Sequence, residues 1–180
     1  MSPVLPARFA APVPRPDLAV ANLHPPTLPE QTRTRLVTLV RALARNTGLW
    51  QPRVRFTATR YWTRLPAPDD VDVWLLTWLP EQGTELHDHG DSAAAFTVVG
   101  GTLTELRVDE DGEPSAAELG SSSVRTVAPG VVHDVQNHHP GPAISIHAYA
   151  PKLQRMTYYR WGNGGLEPTR TVFGEEPEKP

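Results

Sequence analysis

From Val71 onward the sequence is a succession of short segments rich in β-branched, aromatic and other apolar residues, separated by turn residues. Such segments favour β-strands. Strands at this close spacing predict an all-β sandwich or barrel rather than a sheet of strand–helix–strand units. Turns are predicted at Gly100-Gly101 and over 109–113. The predicted strands are 71–79, 84–89, 94–99, 102–108, 124–127, 131–135, 143–150 and 156–161.

The two ends of the chain differ from this β-rich region. Residues 1–29 contain eight prolines, which lack a backbone donor and disfavour helix before them, so an extended arm is predicted. Over 30–47 apolar residues recur at helical spacing, which predicts one amphipathic helix with its arginines in solvent. Gly48 is the predicted left-handed cap of that helix. We therefore predict one domain over 30–161 and an irregular tail over 162–180.

Composition limits the possible partners. A net charge of −3 gives no basis for binding nucleic acid or an anionic membrane. No apolar run reaches the roughly 18–20 residues that span a bilayer, and the first residues lack the pattern of an export signal. The chain contains no cysteine, so any metal must bind nitrogen or oxygen ligands. We expect a cytoplasmic protein, monomeric or weakly homo-oligomeric, with neither a nucleic acid nor a membrane as partner.

The strongest chemical signal is a pair of histidines. His87 and His89 are separated by one residue in a predicted strand, where alternate side chains share a face. Two imidazoles side by side provide two-thirds of a facial metal site. His133, which follows the Pro129-Gly130 turn, is the predicted third ligand. Three neutral imidazoles favour a divalent ion such as iron(II), zinc, copper or nickel.

Three further histidines compete for the third position. His138 and His139 lie in a loop between Asn137 and Pro140 and are predicted to be solvated. His147 lies in the predicted strand 143–150.

The pattern His-X-His followed by Pro-Gly-X-X-His resembles the two motifs of the cupin superfamily, and Gly101 stands where the first motif ends. This resemblance implies a small β-barrel of jelly-roll type. Many cupins carry a glutamate ligand five residues after the second histidine, and here that residue is Ala94. Its absence leaves a site of three histidines.

Over residues 48–161 the sequence resembles the type I cysteine dioxygenases. The resemblance rests on three blocks, 87–92, 133–137 and 145–151. In the third block Ser145, His147 and Tyr149 alternate along one strand and share a face. The family places such a serine–histidine–tyrosine relay beside its iron. The resemblance implies Fe(2+) on the three histidines and oxidation of L-cysteine by O2 to cysteine sulfinate, a step of cysteine catabolism.

The resemblance also assigns a substrate-binding residue. The family holds the substrate carboxylate with an arginine, which matches Arg64 if the loop over 65–70 is shortened. Arg60 is the alternative. Animal members carry a cysteine at the position of Ala94, where it cross-links to the tyrosine. Since this chain lacks cysteine, Tyr149 is predicted to keep an unmodified ring.

Other functions stay open at this point. The substrate can be 3-mercaptopropionate or another small thiol acid, although an arginine at position 64 favours cysteine. A different metal-dependent cupin enzyme is a second possibility. A non-catalytic cupin that binds metal or senses a small molecule is the third.

Overall fold

The computed structural model describes residues 27–109 and 111–174, so nearly all of the proline-rich arm lies outside the described residues. Two helices come first, α1 (Glu30–Arg45) and α2 (Thr47–Trp50), followed by one turn of 3-10 helix (Gln51–Arg53). The buried side chains of α1 are Leu36, Val40 and Leu43. The helical arginines are exposed, as predicted; they are Arg33, Arg35, Arg41 and Arg45.

The end of α1 differs from the prediction. The helix stops at Arg45, and Gly48 lies inside α2 instead of forming a left-handed cap. Asn46 breaks the helix with a non-helical backbone, and its N–H still donates to the carbonyl of Leu43. The indole N–H of Trp50 donates to the carbonyl of Ala44 at 3.2 Å, so the second helix satisfies an acceptor that the end of the first leaves open. None of the helices among the described residues has the length and apolar character needed to cross a membrane.

Eleven strands form two antiparallel sheets in the described part of the chain. Sheet A has five strands in the order β1-β2-β9-β4-β7, and sheet B has six in the order β11-β10-β3-β8-β5-β6. The strands are β1 (Trp62–Arg64), β2 (Asp72–Trp78), β3 (His87–Asp88), β4 (Ala93–Gly100), β5 (Thr102–Val108), β6 (Pro114–Gly120), β7 (Val124–Val127), β8 (His133–Gln136), β9 (Ala143–Ala150), β10 (Arg155–Gly162) and β11 (Gly165–Phe173).

Sheet A is buried on both faces, which explains why β2 and β9 read as nearly continuous apolar runs. One face packs against α1 through residues such as Val73 and Ile146. The opposite face carries Trp74, Phe96 and Tyr149 into the space between the sheets. The two sheets fit a jelly roll, as predicted, but they do not close into a continuous barrel.

Several predicted strands have different bounds. β3 covers only His87 and Asp88, and β8 begins at His133 rather than Val131. β6 was not predicted, because its residues are mostly exposed and its pattern has few large apolar positions. Its register on β5 is continuous from Thr102 opposite Gly120 to Val108 opposite Pro114.

The prediction of an irregular tail over 162–180 is wrong for residues 165–173, which form β11. Gly162 pairs with Gly165, so Asn163 and Gly164 make a two-residue hairpin turn between β10 and β11. Asparagine followed by glycine is a strong signal for such a turn. Pro168 is tolerated because β11 is an edge strand and its register shifts at that point.

Candidate metal centre

Three buried histidines on and beside two neighbouring strands of sheet B converge on one point. His87 lies in β3, directly opposite His133 in β8, and His89 follows the end of β3. Each is at most 2% exposed. The Nε2 atom of His89 lies 3.1 Å from that of His87 and 3.4 Å from that of His133. Of the described histidines, only these three form a group whose ligand atoms lie within 4.8 Å of one another.

The hydrogen bonds of two rings determine which nitrogen faces the centre. The Nδ1 atom of His87 lies 2.7 Å from the carbonyl of Glu85, which can only accept, so this nitrogen carries the hydrogen. The Nδ1 atom of His133 donates in the same way to the carboxylate of Glu105 at 3.0 Å. In the neutral rings, both Nε2 atoms then present lone pairs toward His89.

This arrangement fits a metal ion. Two nitrogens that bind one ion at about 2.1 Å, about 90° apart, would be separated by about 3.0 Å. The observed separations of 3.1 and 3.4 Å are close to this value. Lone pairs directed at one point repel each other unless a cation lies between them. The predicted ligand set, His87, His89 and His133, is therefore brought together by the fold and can hold a metal.

Asp88 holds the turn that carries His89 toward His87. Its carboxylate accepts the N–H of Gly90 and the hydroxyl of Tyr159, both at 2.6 Å. Gly90 has a φ of +58°, a left-handed backbone conformation that favours glycine, and a Cβ there would lie 2.6 Å from the side chain of Arg155. Burial raises the pKa of Tyr159, and the hydrogen bond and charge of Asp88 raise it further.

Glu105 is a residue of this centre that the sequence analysis missed. It lies in β5, opposite Val135 of β8, and is fully buried. Burial alone would raise the pKa of Glu105, but the hydrogen bond from His133 and the charge and hydrogen bond of Arg107 lower it below its usual range. A signal was present: Glu105 shares a strand face with the buried Leu103, where an acid is unusual.

The predicted relay residues lie on β9 and face the same interior. Ser145 Oγ lies 2.8 Å from Nε2 of His147 and accepts the indole N–H of Trp78 at 2.9 Å. The ring of His147 stacks on Phe96 with 4.7 Å between centroids. Tyr149 is buried, and its ring packs edge-on against His89 at 4.9 Å. Tyr149 therefore borders the histidine group.

The two candidate arginines lie in different places: Arg64 ends β1 of sheet A, whereas Arg60 precedes that strand. Arg64 is opposite Trp74 in β2, and Trp74 is opposite His147 in β9, so all three share one face. The exposed guanidinium of Arg64 lies 5.2 Å from the ring centroid of Trp74. Arg60 is buried, donates to the carbonyl of Gly83 at 2.7 Å and lies over Trp78. Arg64 is thus in the row of His147, whereas the guanidinium of Arg60 is held by the carbonyl of Gly83 and the ring of Trp78.

The two loop histidines that are alternative ligands by sequence lie outside the three-histidine group. His138 is exposed and His139 is half-buried in the loop before β9, 3.9 Å from Glu118. Among the described residues, no carboxylate joins the three-histidine group. Ala94 occupies the position of the usual cupin glutamate.

Comparison with solved structures identifies the fold. Residues covering 67% of this chain align with 93% of an uncharacterized conserved protein with a double-stranded β-helix domain from Klebsiella pneumoniae, with 21% identity and a TM-score of 0.50. A second similar structure is the TT1209 protein from Thermus thermophilus, with 19% identity and a TM-score of 0.51; the alignment covers 56% of this chain and 92% of that one. At these identities the likeness shows the fold alone.

A jelly roll with a buried group of convergent histidines defines a cupin whose interior can hold a metal ion. The family described as cysteine dioxygenase type I matches residues 30–161, and the chain belongs to that family. It is therefore an oxygen-using oxidoreductase of the thiol dioxygenase type.

Proposed function

We propose that the protein is an iron(II)-dependent dioxygenase that oxidises L-cysteine to cysteine sulfinate. The observation that carries the proposal is the convergence of three histidine Nε2 atoms directly beside Tyr149. In a member of the cysteine dioxygenase family, this convergence supports a metal site with a phenol beside it.

His87, His89 and His133 would hold the ion. All three are neutral nitrogen donors, which suit borderline divalent ions, iron(II) among them. Bound there, iron(II) would supply adjacent coordination positions at which a thiolate and dioxygen meet. The buried imidazoles keep this ligand set rigid, because two of them are fixed through their Nδ1 atoms.

Arg64 would bind the substrate carboxylate. Its planar guanidinium can donate two parallel hydrogen bonds to a carboxylate. Its position in the row of Trp74 and His147 directs it toward the same face as Tyr149. Arg60 is less suited, because its guanidinium already donates to Gly83 and lies over Trp78.

Tyr149 would hydrogen-bond the substrate carboxylate or the reacting oxygen through its hydroxyl. His147 and Ser145 would position it, with Ser145 anchored by the indole of Trp78. The stacking of His147 on Phe96 fixes the orientation of the imidazole ring. These side chains exclude bulk water from the site, since each of them is nearly fully buried.

The overall reaction balances without an external reductant. Both atoms of dioxygen are added to the thiol sulfur, which is oxidised to a sulfinic acid, and dioxygen is reduced. We further propose that the protein acts in the cytoplasm, where small thiols are kept reduced. We also propose that the protein is a monomer or a weak homo-oligomer and that neither a nucleic acid nor a membrane is its partner.

Oxygen consumption tests this function. The metal-free protein is reloaded without oxygen, in parallel with iron(II) and with zinc(II), which has no redox chemistry. We expect rapid oxygen uptake with L-cysteine by the iron form alone, with cysteine sulfinate as product. Faster uptake with 3-mercaptopropionate would support a thiol dioxygenase but contradict the assignment of L-cysteine as its substrate. If the iron-loaded protein consumes no oxygen with any thiol, the proposed dioxygenase activity is wrong and a non-catalytic cupin is favoured.

A further inference from the structure

The buried carboxylate of Glu105 makes three contacts with charged or chargeable side chains. It accepts the Nδ1 hydrogen of His133 at 3.0 Å on Oε1. Arg107 donates to the same oxygen at 2.9 Å, and Arg125 donates to Oε2 at 2.7 Å. Both carboxylate oxygens of Glu105 therefore accept hydrogen bonds, and the side chain has no exposed surface.

Arg125 and Arg107 connect Glu105 to the opposite sheet. Arg125 lies in β7 of sheet A, whereas Glu105 and Arg107 lie in β5 of sheet B. Arg107 also donates to the carbonyl of Thr126 in β7 at 2.9 Å. The carboxylate is consequently held from two sides and cannot rotate away from His133 without breaking these bonds.

Burying a carboxylate is costly unless its partners compensate for the lost hydration. Two arginines are sufficient to hold the charge, so a purely structural ion cluster would not need a histidine. The third contact goes to His133, whose other nitrogen faces His89 at 3.4 Å. The ion cluster of Glu105, Arg107 and Arg125 therefore contacts one histidine of the metal centre, His133.

We propose that Glu105 is the positioning residue of the metal centre. It fixes the ring and tautomer of His133 and, as a held anion, strengthens the donation of His133 to the ion. His87 differs, because its Nδ1 hydrogen goes to the neutral carbonyl of Glu85. His87 and His133 are therefore unequal ligands, and His133, which donates to an anion, is the stronger electron donor of the two.

This role of Glu105 rests on the proposed function in one respect, because it assumes that the same three histidines are the metal ligands. Its test does not need the thiol reaction. Metal affinity is measured without thiol or oxygen, so a protein that binds metal tightly but oxidises no thiol would overturn the function and leave this inference intact.

Glu105→Gln is the decisive variant, because glutamine keeps an acceptor for His133 and removes the charge. We expect iron(II) and zinc(II) to bind roughly 10- to 100-fold more weakly in competition with a chelator. The reduction potential of the iron site should rise, because the oxidised ion loses a stabilising anion nearby. Glu118→Gln is the matched control, since Glu118 is exposed and should leave both quantities unchanged.

A second variant covers the case in which Glu105→Gln does not fold. Arg125→Gln leaves the contact between Glu105 and His133 in place but removes one of the two cationic partners. We expect shifts opposite to those of Glu105→Gln and smaller, with a lower reduction potential and tighter metal binding, because the charge of Glu105 is then less neutralised. Wild-type affinity and wild-type potential in a folded Glu105→Gln protein, or in Arg125→Gln if only that variant folds, would overturn the proposal.

Discussion

Ala94 and Tyr149 lie directly opposite each other in the β4–β9 ladder, and both are buried on the interior face of sheet A. Side chains in such a pair have Cβ atoms about 4.5–5.5 Å apart. Tyr149 is also the residue that packs against His89. The residue at position 94 therefore determines what touches the tyrosine beside the metal centre.

Ala94→Cys should create a cross-link that the natural chain cannot form. A thiol at position 94 would lie beside the ring of Tyr149, so a sulfur–carbon bond can form with loss of two hydrogens, dioxygen being the oxidant. We expect a corresponding mass loss and a linked peptide after incubation with iron(II), oxygen and substrate. In the wild-type protein the peptide containing Tyr149 should keep its unmodified mass.

Ala93→Cys is the control for this experiment. Ala93 pairs with Ala150, and both belong to the core that faces α1. A thiol there points away from Tyr149 and should not react. A cross-link in Ala93→Cys, or none in an active Ala94→Cys protein, would contradict the assignment of faces.

Arg64→Gln should weaken the use of L-cysteine selectively. Loss of a charged hydrogen-bonding partner costs about 1.5–3 kcal/mol, which lowers kcat/KM about 10- to 100-fold. Cysteamine, which has the thiol and amine but no carboxylate, should react equally well with both proteins. Comparison of kcat/KM for the two thiols measures the effect.

Arg60→Lys discriminates between the two arginines. Since Arg60 donates to Gly83 and is buried, its replacement should lower stability without changing the preference for cysteine over cysteamine. Selective loss of cysteine oxidation in this variant would transfer the carboxylate-binding role from Arg64 to Arg60.

Ser145 and Trp78 should be energetically coupled. Ser145→Ala leaves the buried indole N–H of Trp78 without its acceptor, which costs about 1–3 kcal/mol of unfolding free energy. Trp78→Phe removes that donor, so the double variant should lose less than the sum of the single variants. Chemical denaturation of the four proteins gives the coupling. Strict additivity would show that the hydrogen bond contributes nothing.

Tyr159 should make the protein less stable in alkali. Its pKa is raised in the folded state, first by burial and then by Asp88, whereas in the unfolded chain the phenol loses its proton near pH 10. The unfolded state therefore binds fewer protons above about pH 10, and the unfolding free energy falls as the pH rises. Tyr159→Phe should show a flatter alkaline decline in denaturation experiments. An equal slope in both proteins would exclude this contribution.

The residues that are close in sequence were the predictable ones. His87 and His89 are two positions apart, and the alternation of Ser145, His147 and Tyr149 follows from the geometry of a single strand. The position of His133 followed from a Pro-Gly turn at the start of a strand. In each case local geometry was sufficient.

The partners of these residues depend on strand register, which the sequence does not specify. Trp78 reaches Ser145 across 67 positions, and Glu105 reaches His133 across 28. Both contacts exist only because β2 pairs with β9 and β5 pairs with β8. β11 was missed for a different reason: Pro168 is unfavourable in a strand interior, although the pair Asn163 and Gly164 favours a hairpin turn.

The most direct test of the dioxygenase assignment follows the oxygen atoms. The iron(II)-loaded protein is incubated with L-cysteine under oxygen-18 gas in ordinary water, and the sulfinate product is analysed by mass spectrometry. We predict that both sulfinate oxygens carry the label, because both come from one dioxygen molecule. A product with one labelled oxygen, or with none, would contradict the central claim.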